Sequence, residues 1–249
     1  MTALRAALFN LGFYLWTLVA GVAGLPLLLA PRHVAMAFGR FWSAGTLRWL
    51  EWTVGLGHEL RGAENVPRGP AIVAMKHQSA WDTLVLPLLL PDPAVVIKRE
   101  LTWIPLYGWY VTKVGAIPID RGSGATALRR IVARARDAAR AGRPVVIFPE
   151  GTRTAVGARK PYQPGVAALY SQLDLPLVPV AVNSGLYWGR RAFVKRPGRI
   201  VIEFLPPIPP GADRRQALRE LESRIEMATA RLVAEGQQGV AATSRHAFY

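Results

Sequence analysis

From Ala7 to Ala30 the chain reads ALFNLGFYLWTLVAGVAGLPLLLA, 24 positions without a charged side chain. Wound as a helix, such a run covers the roughly 30 Å of a bilayer's hydrocarbon core. Left exposed in water, its apolar surface would drive aggregation, so the chain must bury it in protein or in lipid. A membrane-embedded helix is the expectation. A signal peptide fits less well, because an apolar h-region runs to about 7–15 residues and only Arg5 precedes this one as a basic residue. A helix buried in a protein core remains an alternative.

The next segment, VAMAFGRFWSAGTLRWLEWTVGLG (34–57), is also apolar but carries Arg40, Arg48 and Glu51. At roughly 100° per residue the three charges fall within about 80° of one another, leaving most of the circumference apolar. A simple lipid-facing span disfavours two arginines, each costing about 2.5–3.5 kcal/mol at the bilayer centre. A helix lying in the interface, or paired with its predecessor, accommodates them. Trp16, Trp42, Trp49 and Trp52 fall in this region, as expected where indole rings settle among headgroups, and are read as membrane-contacting. A soluble helical subdomain is the other reading.

Beyond about Arg61 the pattern changes to α/β. Short apolar runs occur at AIVAM (71–75), AVVIK (94–98), GAIPI (115–119), PVVIF (144–148), LVPVAV (177–182) and RIVIEFL (199–205), several of them separated by helical stretches. One such stretch, 123–142, has Ser123 as a cap candidate and places Leu128, Ile131, Val132 and Ala135 on one face. The last, roughly 212–234, starts with Asp213 and Gln216 in capping-box spacing and repeats Leu218, Leu221, Ile225, Ala228 and Leu232. The expected fold is a mixed, mostly parallel sheet flanked by helices, with an N-terminal two-helix membrane-attachment motif. The expected division is a helical hairpin at 1–57, an α/β domain at 58–235 and a loose tail at 236–249.

The chain has no cysteine, which excludes disulfides, thiolate nucleophiles and cysteine-based zinc sites. Its four histidines are scattered, and neither a metal nor a cofactor is expected. Phosphate-loop, dinucleotide, esterase-elbow and zinc-helix signatures are missing. What remains is KHQSAWDT (76–83), where His77 and Asp82 lie five apart. That spacing is about 140° around a helix and opposite faces of a strand, so the two side chains meet only across a turn. In such a turn Asp82 orients the imidazole of His77 as a general base. A loop histidine beside a helix capped by Ser79 is the plainer alternative.

A second motif, FPEGTRT (148–154), leaves an apolar run and combines Glu150, Gly151, Thr152 and Arg153. A guanidinium fork suits a phosphate, and glycine lets backbone approach it. A structural turn held by a Glu–Arg pair is the alternative. Between the two motifs, Lys98, Arg99 and Arg121 alternate with Trp103, Tyr107, Trp109 and Tyr110. This stretch is either a surface loop with ordinary aromatics or an anion site beside a lipid-contacting edge.

KHQSAWD, KRELTWIPLYG followed by IPIDRG, FPEGTR and LVPVAV stand in the order and spacing of the four blocks of the glycerolipid acyltransferases, which this chain resembles over roughly residues 58–206. One departure is Lys76, where many members carry asparagine; no fixed role is assigned to it. The resemblance implies transfer of an acyl chain from acyl-CoA or acyl carrier protein to the sn-2 hydroxyl of lysophosphatidate, on the way to phospholipids. It implies His77 as base, Asp82 as its partner, and a phosphate site at Lys98, Arg121, Glu150, Gly151, Thr152 and Arg153. It further implies a membrane location, placed at the cytoplasmic face of a bacterial inner membrane. A net charge of +15 accords with anionic lipids, lysophospholipid and thioester substrates and acyl carrier protein as partners, and no nucleic acid is expected. Another lysolipid acceptor, a lipid hydrolase and a non-catalytic basic membrane-binding protein are the alternatives.

Overall fold

The computed structural model describes residues 2–120 and 124–246. The uncharged run forms α1 (Thr2–Ala23), which is long and apolar enough to cross a membrane. A short 3-10 turn at Leu25–Leu28 reverses the chain into α2 (Arg32–Val54), and the two helices pack together as a hairpin. The tryptophans hold this hairpin closed. The indole N–H of Trp16 donates to the Trp42 carbonyl (3.2 Å), that of Trp42 to the Thr17 hydroxyl (3.3 Å), and that of Trp49 to the Phe9 carbonyl (3.2 Å). Membrane contact was expected of all four tryptophans. Three of them use their polar atoms across the hairpin and are partly buried, and Trp52 is the strongly exposed one of the four, at 78%.

The second helix ends because Gly55 adopts a left-handed conformation (φ 75°), which costs glycine no side-chain clash; its N–H donates to Glu51 and closes the last turn. The chain then enters β1 (Leu56–Arg61), a strand missing from the sequence expectation. It is an edge strand with only Leu56 buried, so it lacks the continuous apolar signal of an interior strand. The other strands fall within the apolar runs: β2 (Ile72–Met75), β3 (Ala94–Lys98), β4 (Ile117–Ile119), β5 (Val145–Ile147), β6 (Leu177–Val182) and β7 (Gly198–Phe204).

Together they form one seven-stranded sheet in the order β1-β7-β6-β2-β5-β3-β4. Every pairing is parallel except β6 with β7. The sheet is therefore mixed and mostly parallel, as expected. Central strands β2, β5 and β6 are buried at every position, which explains their unbroken Val, Ile and Ala content.

Helices cover both faces. On one, α3 (Trp81–Leu89) and α2 pack against the sheet; Phe9, Leu47, Leu50 and Val54 of the hairpin share a core with Val73, Met75 and Trp81. On the other lie α5 (Gly124–Arg140), α6 (Pro164–Leu173) and α7 (Arg214–His246). Ser123, the cap candidate for α5, lies outside the described residues. At the start of α7 the Gln216 amide donates to the Asp213 carboxylate (2.9 Å), as the capping spacing requires. This helix continues to His246, so the expected loose tail is helical over most of its length. A short α4 (Tyr107–Lys113) sits against the far end of the hairpin, its Tyr110 hydroxyl donating to the Gly21 carbonyl (2.9 Å).

Candidate active site

Strands β2, β5, β3 and β6 run in the same direction, so the loops that follow them gather at one edge of the sheet, where open parallel sheets place their ligands. The first of these loops turns sharply between Met75 and α3. Asp82 lies in the first turn of that helix, fully buried, where the helix N-terminus favours its negative charge. Its Oδ2 accepts the amides of Gln78 (2.7 Å) and Ser79 (2.8 Å) and faces Nδ1 of His77 at 2.9 Å. Its Oδ1 accepts the hydroxyl of Ser184 (2.5 Å). The turn that the five-residue spacing required is present.

With Nδ1 held against Asp82, the second ring nitrogen of His77 is the one left to act on a bound molecule. The ring stacks on Phe148 with centroids 4.0 Å apart, which fixes its plane. Ser79 is fully buried, and its hydroxyl accepts the Trp81 amide (3.2 Å). It serves the start of α3 from one residue before the N-cap position, Ala80.

Glu150, grouped by the sequence with the phosphate-site residues, is turned inward and braces its loop. It is 2% exposed, and its Oε2 accepts the backbone amide of His77 (3.1 Å). Its Oε1 accepts the Thr154 hydroxyl (2.9 Å) and pairs with the Lys76 ammonium (2.7 Å). A carboxylate so engaged would also repel a phosphate. Lys76 is equally buried and holds both carboxylate oxygens of Glu226 on α7 (2.7 and 2.9 Å). Tyr162 donates to the same Glu226 (3.2 Å); burial, then the nearby Glu226 and Glu150 charges, push its phenol far above the ordinary range and keep it a donor. The Thr154 amide in turn donates to the His77 carbonyl (2.8 Å), so the first and third sequence blocks brace each other.

His77 opens into a cleft of about 610 Å³. Lys98, Gly151, Thr152 and Arg153 line it; Arg121 lies outside the described residues. Gly151 has φ 66°, a left-handed turn that a side chain would strain. Among the described residues neither Lys98 nor Arg153 has a hydrogen-bonding or ion-pairing partner. Arg153 lies near enough to Tyr107 for its charge to oppose the upward push that burial gives that phenol. Val96, Ile97, Leu101, Ile119, Leu128 and Ile147 make much of the remaining wall apolar. No Asp or Glu lines the cleft among the described residues, and no group of three or more His, Cys, Asp or Glu among them is placed to hold a metal.

Sequence reasoning missed Ser184, which fixes Asp82, and Arg190 and Arg191, which line the cleft from the loop after β6. Ser184 stands two residues beyond LVPVAV, and only the parallel pairing of β6 with β2 brings it to Asp82.

Comparison with known proteins agrees with this geometry. The acyltransferase family model matches residues 58–183. A 1-acyl-sn-glycerol-3-phosphate acyltransferase of Pseudomonas aeruginosa is 33% identical over 237 residues, 94% of this chain and 91% of that protein. One of Cocos nucifera is 30% identical, covering 84% of this chain and 68% of its own length. The crystal structure of the 1-acyl-sn-glycerophosphate (LPA) acyltransferase PlsC from Thermotoga maritima shares the fold with a TM-score of 0.76 at 21% identity, over 93% of this chain and 99% of that one. With the family model matching half of the chain and the Pseudomonas aeruginosa relative 33% identical over 94% of it, the chain belongs to the acyltransferase family.

Proposed function

We propose that the protein transfers a fatty acyl chain from a pantetheine thioester, on CoA or acyl carrier protein, to the sn-2 hydroxyl of lysophosphatidate, yielding phosphatidate. The observation that carries this reading is a histidine–aspartate pair facing a cleft with an apolar wall and cations, Lys98 and Arg153 foremost, that are unpaired among the described residues. The free imidazole nitrogen of His77 takes the hydroxyl proton while that oxygen attacks the thioester carbonyl. The C–O bond forms, the C–S bond breaks, and the imidazolium returns the proton to the departing thiolate. Asp82, held by two backbone amides and Ser184, keeps its charge directed at the imidazolium and fixes the tautomer. No acyl-enzyme is involved, and the buried Ser79 is not a nucleophile in this scheme. Arg153 and Lys98 receive the acceptor phosphate, with Gly151 and Thr152 allowing close approach; the apolar wall receives an acyl chain.

The two-helix segment attaches the protein to a membrane, at the cytoplasmic face of a bacterial inner membrane. Leu8, Leu11, Leu15, Leu18 and Val22 leave α1 with an uncovered apolar face, and Trp52, Trp103 and Trp109 are exposed elsewhere. Incubating purified protein with a panel of lysolipids and both donor types, following thiol release and lipid product, tests the reading. Lysophosphatidate should be the acceptor, and His77→Ala should lose about 10²–10⁴ in turnover while remaining folded. Near-normal turnover by that variant would sink the mechanism.

A further inference from the structure

The cleft holds more positive charge than one phosphate requires. Lys98 and Arg153 enter from the β3 and β5 side of His77, whereas Arg190 and Arg191 enter from the β6 side. Because β2 lies between β5 and β6, the catalytic histidine is flanked by two separate pairs of cations. Neither Arg190 nor Arg191 has a partner among the described residues, and both are exposed, which places them at the rim of the cleft.

Their loop is held on three sides. At its start, Ser184 bonds Asp82, and the Gly185 amide donates to the Gln78 side chain (3.0 Å). Beyond the arginines, Lys195 is 3% exposed. Its ammonium donates to Asn10 on α1 (2.5 Å) and to the Phe193 carbonyl (3.0 Å), and it lies 5.0–5.9 Å from the rings of Trp188, Phe9 and Phe193. Between these anchors Arg191 adopts φ 58°, a left-handed conformation that is uncommon for a side chain of this size. A strained residue kept in place by its surroundings is a recurrent mark of a ligand site.

We propose that Arg190 and Arg191 form a second anion subsite, which takes the phosphate at the far end of the donor's pantetheine arm. The assignment rests on the acyl-transfer reading above, and chemistry separates the two subsites. In lysophosphatidate the reacting hydroxyl and the phosphate sit on neighbouring carbons, so that phosphate needs a cation close to His77. Arg153 provides one, since it adjoins Thr154, whose amide bonds the His77 carbonyl. In the donor a whole pantetheine arm separates the thioester from its first phosphate. That phosphate therefore belongs at the rim, on the side the acceptor leaves open.

CoA and acyl carrier protein both present a phosphate there, and the test separates them. The full chain and an Arg190→Ala/Arg191→Gly variant would be assayed with an acyl-CoA and with the matching acylated acyl carrier protein. Glycine at 191 preserves the left-handed turn while removing the guanidinium. The donor that the wild type uses should show a KM raised about ten-fold or more, as expected when charge-assisted bonds to a phosphate are lost. The KM for lysophosphatidate should change less than two-fold, and Arg190→Lys/Arg191→Lys should recover part of the loss. Binding of unacylated CoA and holo acyl carrier protein, measured calorimetrically, gives a readout independent of turnover. If the wild type binds a donor but transfers nothing to lysophosphatidate, the function above fails while the subsite stands or falls on the binding difference. Donor KM and donor affinity both unchanged in the variant, or an equal rise in both KM values, would overturn the proposal.

Discussion

At His77 the sequence carried the essential geometry. A spacing of five from His77 to Asp82 left only a turn, and the chain makes that turn between β2 and α3. What periodicity could not show is how the turn is held. Glu150 shares the FPEGTRT stretch with Arg153, yet its side chain points inward to Lys76 and the His77 amide. Lys76 was left without a role because its partner Glu226 lies 150 positions away on another element. Spacing arguments see only local partners. The buried cluster carries one positive and two negative charges, which makes its members unequal. Lys76→Met would leave two carboxylates facing each other without water, and should cost about 3–5 kcal/mol in urea unfolding. Glu226→Gln leaves a neutral Lys76–Glu150 pair and should cost clearly less. Equal losses would mean that the cluster is not electrostatically coupled.

Among the elements, the two-helix hairpin forms as the sequence suggests, and its tryptophans show what the sequence leaves unsaid. Tryptophan near an apolar helix suggested headgroup contact, since composition reports that an indole is amphipathic but not where its N–H goes. Here α1 and α2 supply the partners, and Trp16, Trp42 and Trp49 join the helices. The two roles predict different phenotypes. Trp49→Phe removes one cross-helix hydrogen bond and should lower stability by about 1 kcal/mol with vesicle binding intact. Trp52→Ala removes an exposed ring and should weaken binding to liposomes with almost no change in Tm. If Trp49→Phe were the variant that fails to bind vesicles, the assignment of roles would be reversed. Edge strand β1 was illegible for a related reason: alternating LGHELR carries too little apolar signal, and its strand character comes from pairing with β7. The six apolar runs were legible because burial on both faces leaves little room for polar residues.

For the molecule as a whole, a division at residue 57 separates two sequence patterns but does not separate two cores. Phe9, Leu47, Leu50 and Val54 are buried with the sheet, and Arg32 on α2 pairs with Asp92 (2.5 Å) in the loop before β3. Each of those four side chains is worth about 1.5–3 kcal/mol of burial. Removing residues 1–54 should therefore yield aggregated protein rather than a soluble domain. Sedimentation and size-exclusion chromatography in the absence of detergent would show it, and a monodisperse, fully active truncation would contradict it. The tie between Lys76 and Glu226 also has a consequence for how the protein is made. Synthesis delivers Lys76 well before its partner, since the carboxylate that completes the bracing of the His77 turn emerges 150 residues later. The turn that carries His77 therefore stays incompletely braced until most of the α/β sequence has been made, which makes its final setting a late event for the nascent chain.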